Sequence, residues 1–124
     1  MSLHSFASKE YLEKRVKFHP LSFKISGISH YQNIATQIEY SSKIIMTNDY
    51  GNKYDKNAIR LDYNDKLIGY VPTYMIDKIQ LCIDQGITDL KPICIKRIND
   101  VIGIRVIPMN CYEKSMIDES IFGD

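Results

Sequence analysis

The sequence predicts a mainly β chain of β-rich α+β class, built as a small antiparallel barrel with one or two helices. Three observations lead there. Among 124 residues, twenty isoleucines stand against four valines, and β-branched side chains fit the pleated, half-buried surface of a strand. Two apolar, alternating segments are each folded back at an Asn-Asp pair, Asn64-Asp65 and Asn99-Asp100, a dipeptide that tolerates the left-handed backbone of a tight hairpin. Clear helical periodicity is found only beyond Thr73. At this length a single domain suffices, able to bury a core without disulfides or a structural metal.

The elements follow in chain order. Residues 8–17 (SKEYLEKRVK) fit a short helix capped by Ser8 with Leu12 and Val16 on one side, although Val16 to Phe18 could equally begin a strand. His19-Pro20 breaks any helix, because the residue before proline is pushed toward extended geometry. Phe23, Ile25 and Gly27 alternate with Lys24, Ser26 and Ile28 as a strand that ends in a Gly-Ser-His loop. Further extended stretches are expected at Ile34 to Tyr40 and Lys43 to Thr47. AIRLDY and KLIGYV then form the first hairpin, in a register that sets Leu61 opposite Ile68 and Ile59 opposite Tyr70 on a buried face, with Arg60 and Asp62 on the wet one. Pro72-Thr73 opens a helix capped by Thr73, with Met75, Ile76, Ile79, Cys82 and Ile83 on its apolar face and Gly86 as its stop. KPICIKRI and VIGIRVI make the second hairpin. The expected division is an N-terminal extension over 1–21, the barrel domain over 22–110, and a tail or terminal helix over 111–124.

Sixteen Lys and Arg against fifteen Asp and Glu leave the chain nearly neutral. Bulk positive charge is therefore not how it would hold a polyanion, and an anionic partner must be met by a local patch. Cys82, Cys94 and Cys111 show neither disulfide nor zinc spacing, and no apolar run reaches the roughly 20 residues needed to cross a bilayer. The expectation is a cytoplasmic protein with no membrane partner, no metal and no cofactor. Catalysis finds no support either. The three histidines are scattered at 4, 19 and 30, and GNKYDKN lacks the glycine spacing of a phosphate-binding loop.

The unusual stretch is NKYDKNAIRL, residues 52–61, where amides, an acid, lysines and a tyrosine crowd the mouth of a strand. One reading is structural: Asp49, Asn52, Asp55 and Asn57 turn the chain through Asx hydrogen bonds while Tyr54 covers the barrel end. The other is a ligand site, in which Tyr54 offers a stacking face, Asp55 accepts a hydroxyl, Asn57 donates and accepts, and Lys53 or Lys56 meets a phosphate. A base stacked on an aromatic ring contributes about 1–3 kcal/mol, which suits a chain without a large basic field. His30 and Tyr31, after the Gly27 turn, could share that site.

FKISGISHY, the loop TNDYGNKYDKNAIRL, and KLIGYVP followed by a helix together resemble the HIRAN domain, in order and spacing, from about Phe23 to Gly86. The resemblance implies an OB-like or SH3-like barrel that holds the free 3′ end of single-stranded DNA, with aromatics stacking the terminal bases and an acid near the 3′ hydroxyl. On this chain it implies binding roles for Tyr31, Tyr54, Asp55 and Asn57, with Lys56 and His30 as auxiliaries, and a setting in DNA repair beside a DNA-processing protein. Ser29-His30-Tyr31 replaces an arginine and two aromatics, and Pro72-Thr73 replaces lysines, so two phosphate contacts of the family are missing. The expected function is a non-catalytic module for single-stranded nucleic acid. The alternative is a protein-interaction module that uses the same barrel and binds no nucleic acid.

Overall fold

A computed structural model describes residues 9–114. The Ser8 cap and the acidic segment 115–124 lie outside the described residues. The described chain forms α1 (Lys9–Lys17), β1 (Phe23–Lys24), α2 (Gln32–Ala35), β2 (Ile44–Asn48), β3 (Ile59–Tyr63), β4 (Lys66–Tyr70), α3 (Ile76–Asp84), β5 (Asp89–Ile98) and β6 (Val101–Pro108). Residues 109–114 are helical as well.

The six strands make one antiparallel sheet in the order β1-β6-β5-β2-β3-β4. The sheet curls until its two edges meet. Ser26, just past β1, bridges Tyr70 at the end of β4, and each backbone N–H donates to the other's carbonyl at 2.9 Å. Closing the edges removes unpaired backbone groups that would otherwise invite pairing with another chain. The inner face is a single apolar core in which Phe23, Ile44, Ile59, Leu61, Ile68 and Ile79 are fully buried. A smaller cluster lies on the other side of β5 and β6, where Val16 of α1 packs on Ile93 and Ile107 beside Cys111 and Tyr112.

Both Asn-Asp pairs turn as expected, with all four residues at positive φ. Gly86, at φ 84°, ends α3: Gly86 N–H donates to Ile83 O and Ile87 N–H to Cys82 O, the paired bonds of a glycine-terminated helix.

Three local expectations are corrected. Ile34 to Tyr40 is not extended, because Ile34, Ala35 and Ile38 recur at helical spacing and α2 with its following turns lays Ala35 and Ile38 onto the core. Gln32 pins this segment to β6, its Nε2 donating to Ile102 O and its Oε1 accepting from Ile102 N–H. Thr73 caps nothing: the chain enters through a 3-10 turn at Thr73–Met75, and α3 starts only at Ile76. The register of the first hairpin also differs. Asp62 pairs with Leu67 but Leu61 pairs with Gly69, so Ile68 is an extra residue in β4. A bulge of this kind reverses the inward and outward alternation beyond it. Tyr70 therefore sits opposite Arg60, not Ile59, and leaves the buried face.

Candidate functional site

Gly69 is where the barrel seam closes. A Cβ there would lie 2.5 Å from both Ile25 Cγ2 and Ser26 O, a distance that real Cβ atoms do not show. Only a residue without a side chain lets β1 and β4 meet. The next residue, Tyr70, is thus held at the seam with its ring turned toward the polar side of the hairpin.

Around it stand the polar groups of three segments. Arg60 grips Asp62 in a two-pronged pair, Nη2 to Oδ1 at 2.8 Å and Nε to Oδ2 at 3.0 Å. Hydrogen bonding to Asp62, then the charges of Asp62 and Asp49, raise the Arg60 pKa further above its ordinary value. The Tyr70 hydroxyl donates to Asp49 Oδ2 at 3.4 Å, and Asn52 Nδ2 donates to the same oxygen at 3.3 Å. Both bonds are long beside the 2.5–2.7 Å of a strong hydroxyl–carboxylate bond, so Asp49 keeps most of its capacity to accept. Burial, then the charge of Asp49 and the neighbouring Tyr31, push the Tyr70 phenol up from its ordinary value, and the hydroxyl stays a donor through the neutral range.

The loop between β2 and β3 rises from this cluster. Its base is tied by Asp49 N–H to Ala58 O at 2.9 Å. Asn52 Oδ1 accepts from the backbone N–H of Tyr54 at 2.9 Å and of Asp55 at 3.0 Å, and Asp55 Oδ1 accepts from Asn57 N–H at 2.8 Å. These are the Asx bonds of the structural reading, and they hold for Asn52 and Asp55; the Asp49 carboxylate instead bonds side chains, and the Asn57 side chain makes no such bond among the described residues. The other half of that reading is corrected, because Tyr54 covers nothing and is 97% exposed. The loop backbone is braced by its own side chains while its aromatic ring stands in solvent.

The residues singled out in the sequence fall into two groups. Tyr54 and Asp55 are joined to the Tyr70 seam through Asn52 and Asp49, and Tyr31 lies near Tyr70, with His30 meeting it edge-on at 6.5 Å between ring centroids. Residues 29–34 also line an open hollow of about 380 Å³. Lys56 and Asn57 are exposed and make no side-chain bond within the described residues. Sequence reasoning set Tyr70 on the buried face opposite Ile59 and gave Asp49 only a turn role; the observed register and the Tyr70–Asp49 bond correct both. The one available signal for Tyr70 was the glycine before it, since an isolated glycine in a strand marks a bulge or a close backbone approach.

No three His, Cys, Asp or Glu side chains converge as a metal-binding group among the described residues, and no helix there is long and apolar enough to cross a membrane.

Comparison with known proteins supplies the family. No curated protein matches the sequence. Among solved structures the chain is similar to a protein from Lactobacillus plantarum, at 18% identity with a TM-score of 0.49 over 69% of this chain and 91% of that one. It is likewise similar to the HIRAN domain of human HLTF, at 14% identity with a TM-score of 0.49 over 80% of this chain and 87% of that one. The family model for the HIRAN domain matches residues 19–114, well over half the sequence. The chain belongs to the HIRAN domain family.

Proposed function

We propose that this protein is a non-catalytic module that binds single-stranded nucleic acid and reads the 3′ end of a DNA strand. Membership of the HIRAN family supports a nucleic-acid-binding module. The observation that carries the finer reading is the Tyr54 ring, 97% exposed on a loop braced by Asx bonds and linked through Asn52 and Asp49 to the Tyr70 seam. Holding an aromatic out of the core forfeits the burial that normally stabilises it. A base stacked on the ring recovers about 1–3 kcal/mol, and a braced loop loses little freedom on binding.

In this reading Tyr54 and Tyr31 stack the terminal bases, with His30 against the edge of Tyr31. Asp55, with one oxygen committed to Asn57 N–H, accepts the 3′ hydroxyl on the other. Asp49, under-used by its two long bonds, is a second acceptor for the terminal sugar. Asn57 and Lys56 approach the last phosphate from the rim. A 3′-phosphate would bring a charge of about −1.5 to −2 against Asp55 and Asp49, so discrimination between the two ends is built from charge repulsion as well as hydrogen bonding.

Fluorescence anisotropy tests this with a labelled single strand ending in a 3′ hydroxyl or a 3′ phosphate. The hydroxyl strand should bind more tightly, Tyr54→Ala should weaken it about tenfold, as loss of one stacked base implies, and Asp55→Ala should reduce the preference between ends. Equal binding of both ends by the unaltered protein would sink the end-reading role. Binding of neither would shift the search to a protein partner.

A further inference from the structure

The second feature of the molecule lies away from the seam, on the outer face of β1, β6 and β5. Lys24 of β1 pairs directly with Arg105 of β6, and Arg105 in turn with Cys94 of β5. Two cations opposite one another on neighbouring strands repel and cost stability. Lys96 shares the face two residues beyond Cys94, and Lys17 comes down from the end of α1. Together with Ile98 they border a cavity of about 310 Å³ that no acid lines among the described residues. An adjoining hollow of about 260 Å³ shares Lys17, Cys94 and Lys96 and adds Lys14, with Glu10 as its one acid among the described residues.

The arrangement is braced. Arg105 Nη1 donates to Ser22 Oγ at 3.1 Å, and that hydroxyl donates to the carbonyl of Lys17, so β6 and the end of α1 are tied through one buried serine. Arg105 Nε is buried without an acceptor. Among the described residues none of Lys17, Lys24, Lys96 and Arg105 forms an ion pair. A chain with a net charge of only +1 has concentrated on three strands and a helix end four cations that have no ion-pair partner among the described residues.

We infer that this groove is a second binding site, which takes the phosphodiester backbone of a nucleic-acid strand independently of its sequence. The cations are spread along two adjoining hollows, and only a ligand with charges in series neutralises them all. The inference rests on the nucleic-acid reading above for its class of polyanion, but uses none of the residues assigned to the strand end.

The test uses a labelled mixed-sequence strand closed by a 3′ phosphate, which silences end recognition, and the double variant Lys24→Gln, Lys96→Gln. Both lysines are exposed. The variant should melt no lower than the unaltered protein, because a like-charge pair has been removed. It should bind about tenfold more weakly, with the slope of log affinity against log salt shallower by about 1.4, roughly 0.7 for each lost contact on a single strand. Unchanged affinity and slope would overturn the site, as would failure of the unaltered protein to bind this strand. Binding of polyglutamate as tightly as DNA would overturn it in favour of an acidic protein ligand. The preference of the unaltered protein for a 3′ hydroxyl is scored separately. If that preference is absent while the double variant still loses affinity, the groove stands and the end-reading pocket falls.

Discussion

The β3–β4 and β5–β6 hairpins turn on the same dipeptide and come to different ends. Asn64 and Asp65 have φ of 49° and 64°, and Asn99 and Asp100 have 50° and 63°. Each hairpin also holds one bulge, at Ile68 in β4 and at Ile93 in β5. In the first, the bulge lies close to the turn and swings Tyr70 onto the polar face just before the strand is welded to Ser26. In the second, the bulge lies far from the turn, and the tip runs out regularly into solvent with Ile98 65% exposed. The turn makes a hairpin. The bulge and the seam decide what it presents.

Glycine replacement breaks that comparison most sharply. Gly69→Ala drives a Cβ into Ile25 and the Ser26 backbone and should destabilise by about 3 kcal/mol, the upper range for forcing extra volume into a packed site. Gly103, in the other hairpin, has nothing nearer than Lys96 O at 4.0 Å, so Gly103→Ala should change stability by no more than about 0.5 kcal/mol. Urea unfolding of the two variants gives both numbers, and equal effects would refute the seam. Tyr70→Phe ranks next. It removes one long hydrogen bond and should cost about 0.5 kcal/mol near neutral pH. The Tyr70 phenol has a raised pKa in the folded state, so its contribution is present below the unfolded value of 10.0 and is lost as pH climbs through the higher folded value. The gap between the variant and the unaltered protein should therefore close under alkaline conditions.

Smaller effects sharpen the likeness of the two turns. Asp65→Gly and Asp100→Gly each relieve a left-handed non-glycine residue and should stabilise by a similar amount, about 0.5 kcal/mol, after the greater freedom glycine has in the unfolded chain is set against the relief. Unequal shifts would mean that one turn is strained by its surroundings. His19, on the α1 side of β5–β6, gives the smallest signal. Burial, then the charge of Lys114, lowers its pKa below the ordinary 6.5. Its contribution is thus present above pH 6.5 and erodes as pH falls from there through the folded value. His19→Gln should flatten thermal melts recorded across that window.

Local signals made much of this legible in the sequence. Asn64-Asp65, Asn99-Asp100, the spacing of Met75, Ile76, Ile79 and Cys82, and Gly86 each act over a few residues and behave as those residues dictate. The Arg60–Asp62 pair on the wet face also follows from alternation. Asn52 and Asp55 brace their loop by bonds to residues two and three positions on, again a local matter. What escaped was decided at a distance. Tyr70 turns outward because barrel closure on Ser26 goes with a bulge at Ile68, and within KLIGYV only Gly69 hints at an irregularity, without saying which residue is the extra one. Ile34 to Tyr40 contains enough isoleucine to pass for a strand; the helical spacing of Ile34, Ala35 and Ile38 wins over alternation once Gln32 is pinned to Ile102, seventy residues away. The basic groove is equally non-local, since Lys17, Lys24, Lys96 and Arg105 are dispersed in a sequence whose charges nearly cancel.

The most direct measurement is a map of backbone amide NMR shifts on titration with an unlabelled trinucleotide bearing a free 3′ hydroxyl, too short to fill the basic groove as well. Shifts concentrated at residues 29–31, at 52–57 and around Tyr70 are the predicted result. Shifts confined to the β5–β6 tip, or absent from the 52–57 loop, would contradict the assignment of strand-end binding to the seam side of the barrel.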